Sequence, residues 1–211
     1  MSLHELNVDA TDIPIPDAHG KVIEIVDQRI DAYLARDIKK RAPRYVPSNA
    51  EEAYQALVWI RENNVAEGNR FCEWGSGFGM ITLLAALAGF DATGIEIVES
   101  LCKEATRLAD ELQIPARFLN DDFVPEGFEY ASDGTGEAGA LTSSSLLPSQ
   151  EQDRATFFDP IIPMDELDVI YCYPWPGEAG MMEDLFDATA AEGTLLVTYC
   201  ETDRIRVREK A

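Results

Sequence analysis

Apolar residues recur three or four apart between residues 21 and 41: Val22, Ile25, Val26, Ile30, Tyr33, Leu34 and Ile38. That spacing predicts an amphipathic helix. Ahead of it, residues 1–19 carry Pro14, Pro16 and several aspartates and read as an extended arm. Pro43 and Pro47 end the helix and shape a short loop, RYVPSN. Ser48 or Asn49 is placed to cap a second helix, with Glu51 and Glu52 suited to its first turn. That helix runs through Tyr54, Leu57, Val58 and Ile60 to about Asn63.

From residue 70 the pattern changes to strands alternating with helices. NRFCEW, DATGIEI, ARFLN, LDVIYCY and GTLLVTYC read as strands. GMITLLAALAG, VESLCKEATRLADELQ and EAGMMEDLFDATAA read as the helices between them. The first of these helices is apolar nearly all round, as expected of one packed tightly on a sheet. The tail DRIRVREK alternates Ile205 and Val207 with arginines, which predicts one edge strand. Such alternation predicts an α/β fold with a doubly wound, mostly parallel sheet, preceded by two N-terminal helices. The expected organisation is an arm over 1–19, helices over 20–64, and an α/β domain over 65–211 with an insertion at 124–165. Right-handed crossovers and a reversal of strand order leave a crevice at the carboxyl ends of the strands, where a ligand is expected. Within the insertion, residues 131–156 hold too few large apolar side chains to order themselves well. They read as a surface loop or as a lid over substrate.

The 211 residues are enough for one domain with a full core, but the charge is unusual. Thirty-nine Asp and Glu against 17 Lys and Arg give a net charge of -22, which argues against general nucleic-acid binding. Basic residues cluster at Arg36, Lys39, Lys40, Arg41 and Arg44 and again at Arg204, Arg206, Arg208 and Lys210. They read as solvated or helix-end charge, or as a landing site for an acidic substrate. Cys72, Cys102, Cys172 and Cys200 form no CxxC pair, and only His4 and His19 could join them, so no metal site is expected. Three of the cysteines lie in apolar strand-like runs, which suits a reducing compartment. The N-terminus lacks the basic start and apolar core of a signal peptide, and no apolar run reaches membrane-spanning length. A soluble cytoplasmic protein is therefore expected.

FCEWGSGFGM, residues 71–80, follows the first strand of the sheet and places Gly75, Gly77 and Gly79 within five residues. A phosphate cradle of the P-loop kind needs a Lys and a Ser or Thr after its last glycine. Phe78, Gly79, Met80 and Ile81 follow Gly77, with no Lys, which removes that reading. A dinucleotide turn is spaced GxGxxG, whereas Met80 holds the place of its third glycine here. Glu73 stands at the tip of the strand. A carboxylate facing the crevice repels a pyrophosphate and attracts an ammonium or sulfonium ligand.

Glu73-x-Gly75-x-Gly77-x-Gly79 on a strand-to-helix turn resembles the first motif of class I S-adenosylmethionine-dependent methyltransferases. The resemblance implies a Rossmann-like methyltransferase fold with S-adenosylmethionine as cofactor. It implies that Glu73 reads the cofactor's amino group, directly or through water, and that Gly75, Ser76, Gly77 and Gly79 wrap its methionine end. Glycine lets the backbone approach where a Cβ would block it. Glu96, 21 residues after Gly75 and followed by Ile97, stands where a dinucleotide fold or a methyltransferase places a ribose-binding acid. An ionised carboxylate accepts both ribose hydroxyls at once. At the end of the third strand, NDDF, the resemblance makes Asp122 the acceptor of the adenine amine and Phe123 a contact for the base. Asp121 is the neighbouring alternative, and a loop cap made of acids is the ordinary reading.

YCYPWPGE, residues 171–178, occupies the place of the family's fourth motif, which lines the methyl-transfer channel. Amino-methylating members often carry Asp or Asn before Pro-Pro. Here Tyr173, Pro174, Trp175 and Pro176 stand instead, which argues against an adenine or a glutamine amide as acceptor. The prolines stiffen the turn, and Trp175 offers a wall that suits a cationic methyl donor, or is simply packed. Glu178 is a candidate general base or a helix-start acid. Tyr173, Trp175 and Glu178 are thus the candidate catalytic residues. RYVPSNAEEAYQAL, residues 44–57, is similar to the Y-V-P-[ST]-x-x-E lead-in of small protein-lysine methyltransferases. That likeness implies that Ser48 approaches the cofactor carboxylate, with Tyr45 nearby. Only 11 residues follow the fifth strand, so the last strands of the usual fold are expected to be reduced to one short antiparallel strand. The expected function is methyl transfer to an unknown acceptor, with a protein lysine and a small molecule among the candidates. The alternatives are a non-catalytic cofactor-binding module and a nicotinamide-dependent oxidoreductase.

Overall fold

The structure, a computed structural model, describes residues 3–36, 48–125, 128, 162–174, 177–200 and 204–211. Its strands are β1 (Leu3–Leu6), β2 (Arg70–Trp74), β3 (Asp91–Ile95), β4 (Arg117–Leu119), β5 (Val169–Cys172), β6 (Leu195–Cys200) and β7 (Arg204–Lys210). Its helices are α1 (Asp17–Arg36), α2 (Ala50–Glu62), α3 (Met80–Leu87), α4 (Glu99–Leu112) and α5 (Ala179–Thr189). The strands form one sheet in the order β1-β7-β6-β5-β2-β3-β4. From β6 through β5, β2 and β3 to β4 every pairing is parallel, while β7 runs antiparallel to both β6 and β1. Chain order reverses between β2 and β5, so the crevice opens where the glycine turn leaves β2 and the chain leaves β5 at Tyr173.

Two unequal layers cover the sheet. On one face, α1 to α4 pack over Phe71, Ala92, Tyr171 and Val197 through Val26, Leu57, Leu84 and Leu108. α3 lies inside this layer, with Met80 to Ala85 all buried, which accounts for its lack of a polar side. On the other face α5 supplies Met181, Met182, Leu185 and Phe186 against Cys72, Ile170, Cys172 and Leu196. Val124 and Met164, from the two ends of the predicted insertion, complete that core, and Met164–Glu166 forms a single 3-10 turn. The remainder of the insertion lies outside the described residues.

Three expectations change. The arm is not merely extended: its residues Leu3 to Leu6 form β1, paired with β7 in the register Leu3↔Lys210 to Leu6↔Val207. The tail strand is therefore not an edge, and at seven residues it is not short. One antiparallel strand is indeed built by the C-terminus, and β1 takes the place outside it. The cap of α2 is Asn49, whose side-chain oxygen accepts from the Glu52 N–H at 3.3 Å, which leaves Ser48 uncommitted to capping.

Of the C-terminal basic residues, Arg204 is exposed, while Arg206, Arg208 and Lys210 tie elements of the fold together. Arg206 donates to Glu5 at 2.5 Å, and Arg208 to Glu183 at 2.5 Å. Lys210 donates to the Asp187 and Ala190 carbonyls at 2.5 and 2.7 Å, at the C-terminal end of α5, where a cation suits the helix dipole. Of the other basic cluster, residues 39 to 44 lie outside the described residues.

Candidate functional site

The glycine turn is held from within. The Gly75 and Ser76 N–H groups both donate to the Ile95 carbonyl at 2.9 Å, and Gly77 N–H donates to Glu96 Oε2 at 2.7 Å. Gly79 N–H closes the turn on the Ser76 carbonyl at 2.7 Å. A phosphate cradle works by presenting its N–H groups to the ligand. Here those donors are spent inside the protein, in agreement with the absence of a P-loop Lys. Gly75 and Gly79 both have positive φ, at 76° and 79°, but for different surroundings. A Cβ on Gly79 would stand 2.4 Å from the Phe118 ring, so that position is set by packing. A Cβ on Gly75 would meet nothing within 4 Å. Gly75 therefore faces open space, as a turn wrapped around a ligand requires.

Glu73 and Glu96 end adjacent strands and are both nearly out of water, at 6% and 7% exposure. Glu73 Oε2 accepts from the Thr82 N–H at 2.8 Å and the Thr82 hydroxyl at 2.5 Å, in the first turn of α3. Burial pushes its pKa up to about 8, against the pull of the Thr82 bonds and with a small addition from Glu96. Glu96 is held at both oxygens: Oε2 by Gly77 N–H, Oε1 by Val98 N–H at 2.8 Å. Burial raises its pKa as well, opposed by these backbone donors. Each oxygen has two lone pairs, so the bonds seen leave Glu96 able to accept further donors. The loops after β3 and β4 are joined by Asn120, whose amide donates to the Glu96 and Ile97 carbonyls at 2.8 and 3.0 Å.

Asp121, Asp122 and Phe123 line one small cavity with Ile95, Leu119, Pro125, Ile162 and Met164. Its volume is about 30 Å³, room for water but not for a base. Asp122 Oδ1 accepts from Val124 N–H at 2.9 Å, and Asp121 Oδ1 from Asp122 N–H at 2.8 Å, so both acids also brace their own loop. The Phe123 ring stacks on Trp74 with centroids 5.5 Å apart and planes within 4°. α1 reaches the same loops: Tyr33 sets its ring edge-on to Phe78 of the glycine turn and its hydroxyl 3.0 Å from Ser100 at the start of α4.

After β5, Tyr173 packs edge-on against Tyr199, with centroids 5.1 Å apart. Glu178 sits at the N-cap of α5, with no side-chain capping bond. Trp175 and Tyr45 lie outside the described residues. Sequence reasoning passed over four residues that the structure places around the turn: Trp74, Thr82, Asn120 and Tyr171. Thr82 had a signal, as the lone polar side chain in an otherwise apolar helix. Asn120 had one too, as a side chain able to bridge two loops from the strand end next to the paired aspartates. Tyr171 and Trp74 looked like ordinary strand aromatics. Both are buried; among the described residues the Trp74 Nε1 and the Ser76 hydroxyl have no hydrogen-bond partner, while Ser48 is the hydrogen-bonding neighbour of the Tyr171 hydroxyl.

No family model and no curated protein matches the sequence. Among solved structures, an RNA methyltransferase from Salinibacter ruber in complex with S-adenosyl-L-homocysteine is 17% identical, over 78% of this chain and 92% of that one, at a TM-score of 0.49. A magnesium protoporphyrin IX methyltransferase from Synechocystis with bound S-adenosylmethionine is 14% identical, over 95% of this chain and 100% of that one, at 0.49. An O-methyltransferase from Bacillus cereus is 13% identical, over 89% and 68%, also at 0.49. The acceptors of those enzymes are their own. The assignment of fold rests on this chain's strand order, with its reversal between β2 and β5 and its antiparallel β7. The chain has a Rossmann-like methyltransferase fold. Within that fold Glu73, Gly75, Ser76, Gly77, Gly79, Glu96 and Ile97 gather at the carboxyl ends of β2 and β3, and Asp122 and Phe123 lie just beyond β4.

Proposed function

We propose that this methyltransferase fold binds S-adenosylmethionine and transfers its methyl group to a nucleophile. One observation carries the reading: the turn spends its N–H groups internally and presents two buried carboxylates instead. Such a wall offers a pyrophosphate no N–H donors and suits a ligand with an ammonium and a ribose diol. The residues fit that group in other ways. The space beside Gly75 is open, and among the described residues the buried Ser76 hydroxyl stands unpartnered in the turn. The cofactor supplies an electrophilic methyl on a sulfonium and leaves as a neutral thioether.

The chain's own residues bind, orient and exclude water. Glu73 faces the amino group, Glu96 accepts from the ribose hydroxyls, and Asp122 and Phe123 take the adenine, with Phe123 leaving its stack on Trp74 to make room. Methyl transfer of this kind needs alignment and desolvation more than acid–base work. Tyr173, which follows β5 at the switch point, supports entry of the acceptor there. An amine acceptor must lose a proton before it attacks, and Glu178, at the start of α5, is the candidate to take it. Among the described residues no helix is long and apolar enough to cross a membrane, and Cys72, Cys102 and Cys172 are free. Free, buried thiols support a reducing, cytoplasmic setting.

Calorimetric titration with S-adenosylmethionine, S-adenosylhomocysteine and NAD on one sample tests the cofactor. Saturable binding of the first two and none of NAD is expected; binding of NAD alone would overturn the reading. Incubation with methyl-labelled donor and a cell extract then tests transfer, and label in no fraction would leave a binding module in its place.

A further inference from the structure

Three successive residues at the end of β3 hold the glycine turn, each in a different way. Glu96 accepts from the Gly77 N–H, and the Ile95 carbonyl accepts from the N–H groups of Gly75 and Ser76. Gly94, the third, holds it by what it lacks. A Cβ on Gly94 would stand 2.6 Å from the Ser76 Cβ, 2.7 Å from the Ser76 Oγ and 2.7 Å from the Thr82 Oγ1. Its backbone is that of an ordinary strand residue, without the positive φ of Gly75 or Gly79. Space, not conformation, therefore requires glycine here. Gly94 is also the residue directly opposite Glu73 in the β2–β3 register. The Thr82 hydroxyl that reaches into its slot is the one that donates to Glu73 Oε2. The Ser76 side chain shares the slot and is buried, at 4% exposure. Among the described residues its hydroxyl has no hydrogen-bond partner, so contact with Gly94 is what seats it.

We propose that Gly94 is a positioning residue of the site: the empty place of its side chain seats the Thr82 hydroxyl on Glu73 and the Ser76 side chain under the glycine turn. This rests on the methyltransferase reading, in which Glu73 and that turn face the cofactor. A methyl group in the slot meets no flexible chain end that could swing aside. Both obstacles are short side chains, one fixed to the turn and one to the first turn of α3. Thr82 must then draw its hydroxyl away from Glu73, and Ser76 must pull on the backbone whose N–H groups meet the Ile95 carbonyl. Burial raises the Glu73 pKa, and the Thr82 hydroxyl is the main influence that lowers it, so withdrawal of that hydroxyl raises the pKa further. The other titratable groups coupled to Glu73 among the described residues are Glu96 at the end of β3, Tyr171 on β5 and Cys72 on β2. All three stay unchanged in the variants below.

Gly94→Ala tests the slot without ligand and with it. A raised carboxyl pKa gives stability at low pH that is lost as pH rises through it, so in denaturant titrations the loss should extend to higher pH in the variant than in the wild type. Affinity for S-adenosylhomocysteine near pH 7 should fall about tenfold or more, as for a lost hydrogen bond to a charged group. The gap should narrow toward about pH 8.5, where ionisation of Glu73 is recovered. Thr82→Ala combined with Ser76→Gly supplies a background in which both obstacles are gone. There Gly94→Ala should cost nothing further in affinity or melting temperature. No loss in Gly94→Ala, an equal loss in both backgrounds, or a loss of affinity that is the same at every pH overturns the proposal. Should Gly94→Ala fail to fold in the wild-type background, folding in the emptied one supports the slot and failure there overturns it. Failure of the wild-type protein to bind S-adenosylhomocysteine overturns the methyltransferase reading instead, and the ligand-free titrations still decide the slot.

Discussion

Glu73 and Glu96 stand on neighbouring strands at the same crevice, equally withdrawn from water, yet the fold uses them differently. Glu96 is held through both oxygens by backbone N–H groups of two loops, Gly77 from one and Val98 from the other. It is a bracket between loops. Glu73 is held through one oxygen by a single residue, Thr82. Its pKa of about 8 leaves it mostly neutral near pH 7 when the crevice is empty. The difference teaches that equally buried acids can be held by quite different bonds. Burial raises the pKa of both acids; backbone donors from two loops oppose it at Glu96, and Thr82 alone opposes it at Glu73.

The largest expected effect breaks the comparison at Glu73. A carboxyl raised from 4.5 to about 8 binds its proton more tightly folded than unfolded. Its contribution to stability is therefore full below pH 4.5 and is lost as pH rises toward 8. At about 1.4 kcal/mol per pKa unit, the loss is of the order of 5 kcal/mol at most. Glu73→Gln, neutral throughout, should match the wild type near pH 4.5 and exceed it at pH 9 in denaturant titrations. A constant difference across that range would refute a buried neutral acid. Ligand binding near pH 7 should also release a proton from the wild type but not from the variant, read by calorimetry in buffers of different ionisation enthalpy.

Next comes Glu96. Glu96→Ala deletes the bracket and the proposed ribose acceptor together, so S-adenosylhomocysteine affinity should fall about a hundredfold, as expected for two hydrogen bonds to a charged group. Calorimetry that shows unchanged affinity would remove Glu96 from the site. Thr82→Val sharpens the contrast more gently. It keeps the N–H bond to Glu73 and loses the hydroxyl bond, at a cost of about 1–2 kcal/mol in chemical unfolding. Because that hydroxyl lowers the Glu73 pKa, its loss should push the pH-sensitive window upward. The smallest effect is expected for Asn120→Ala, which unties the two loop ends behind Glu96. It should cost about 1 kcal/mol and weaken ligand binding a few-fold, read in the same titrations.

Glu96 was legible because its role follows from chain distance: a strand, a glycine turn, a helix and a second strand fix where its acid must lie. Glu73 was legible in place but only half in role, since its bond to Thr82 spans the turn and nothing in the local pattern pairs them. The parallel core strands were clear from their apolar runs. LHEL was not, because four residues give no period to count, and what makes them a strand is a partner at the far end of the chain. The tail arginines misled for a related reason. Alternating charge on a strand looks solvated, yet Arg208 and Lys210 are buried under α5, to which they are tied. Tyr171 could not be told from a core aromatic, because whether a hydroxyl has a partner depends on what lies across the sheet.

The pairing of β1 with β7 has a consequence for synthesis. Leu3 meets Lys210 and Leu6 meets Val207, so this strand pair closes a loop that is nearly the length of the chain. β1 leaves the ribosome well before its partner β7 is made. At 5–20 residues per second that wait is roughly ten to forty seconds. During it the parallel core from β2 to β6 can assemble while the arm stays unpaired. The pairing of β1 with β7 is thus the last stitch of this sheet, made only once the parallel core is already in place.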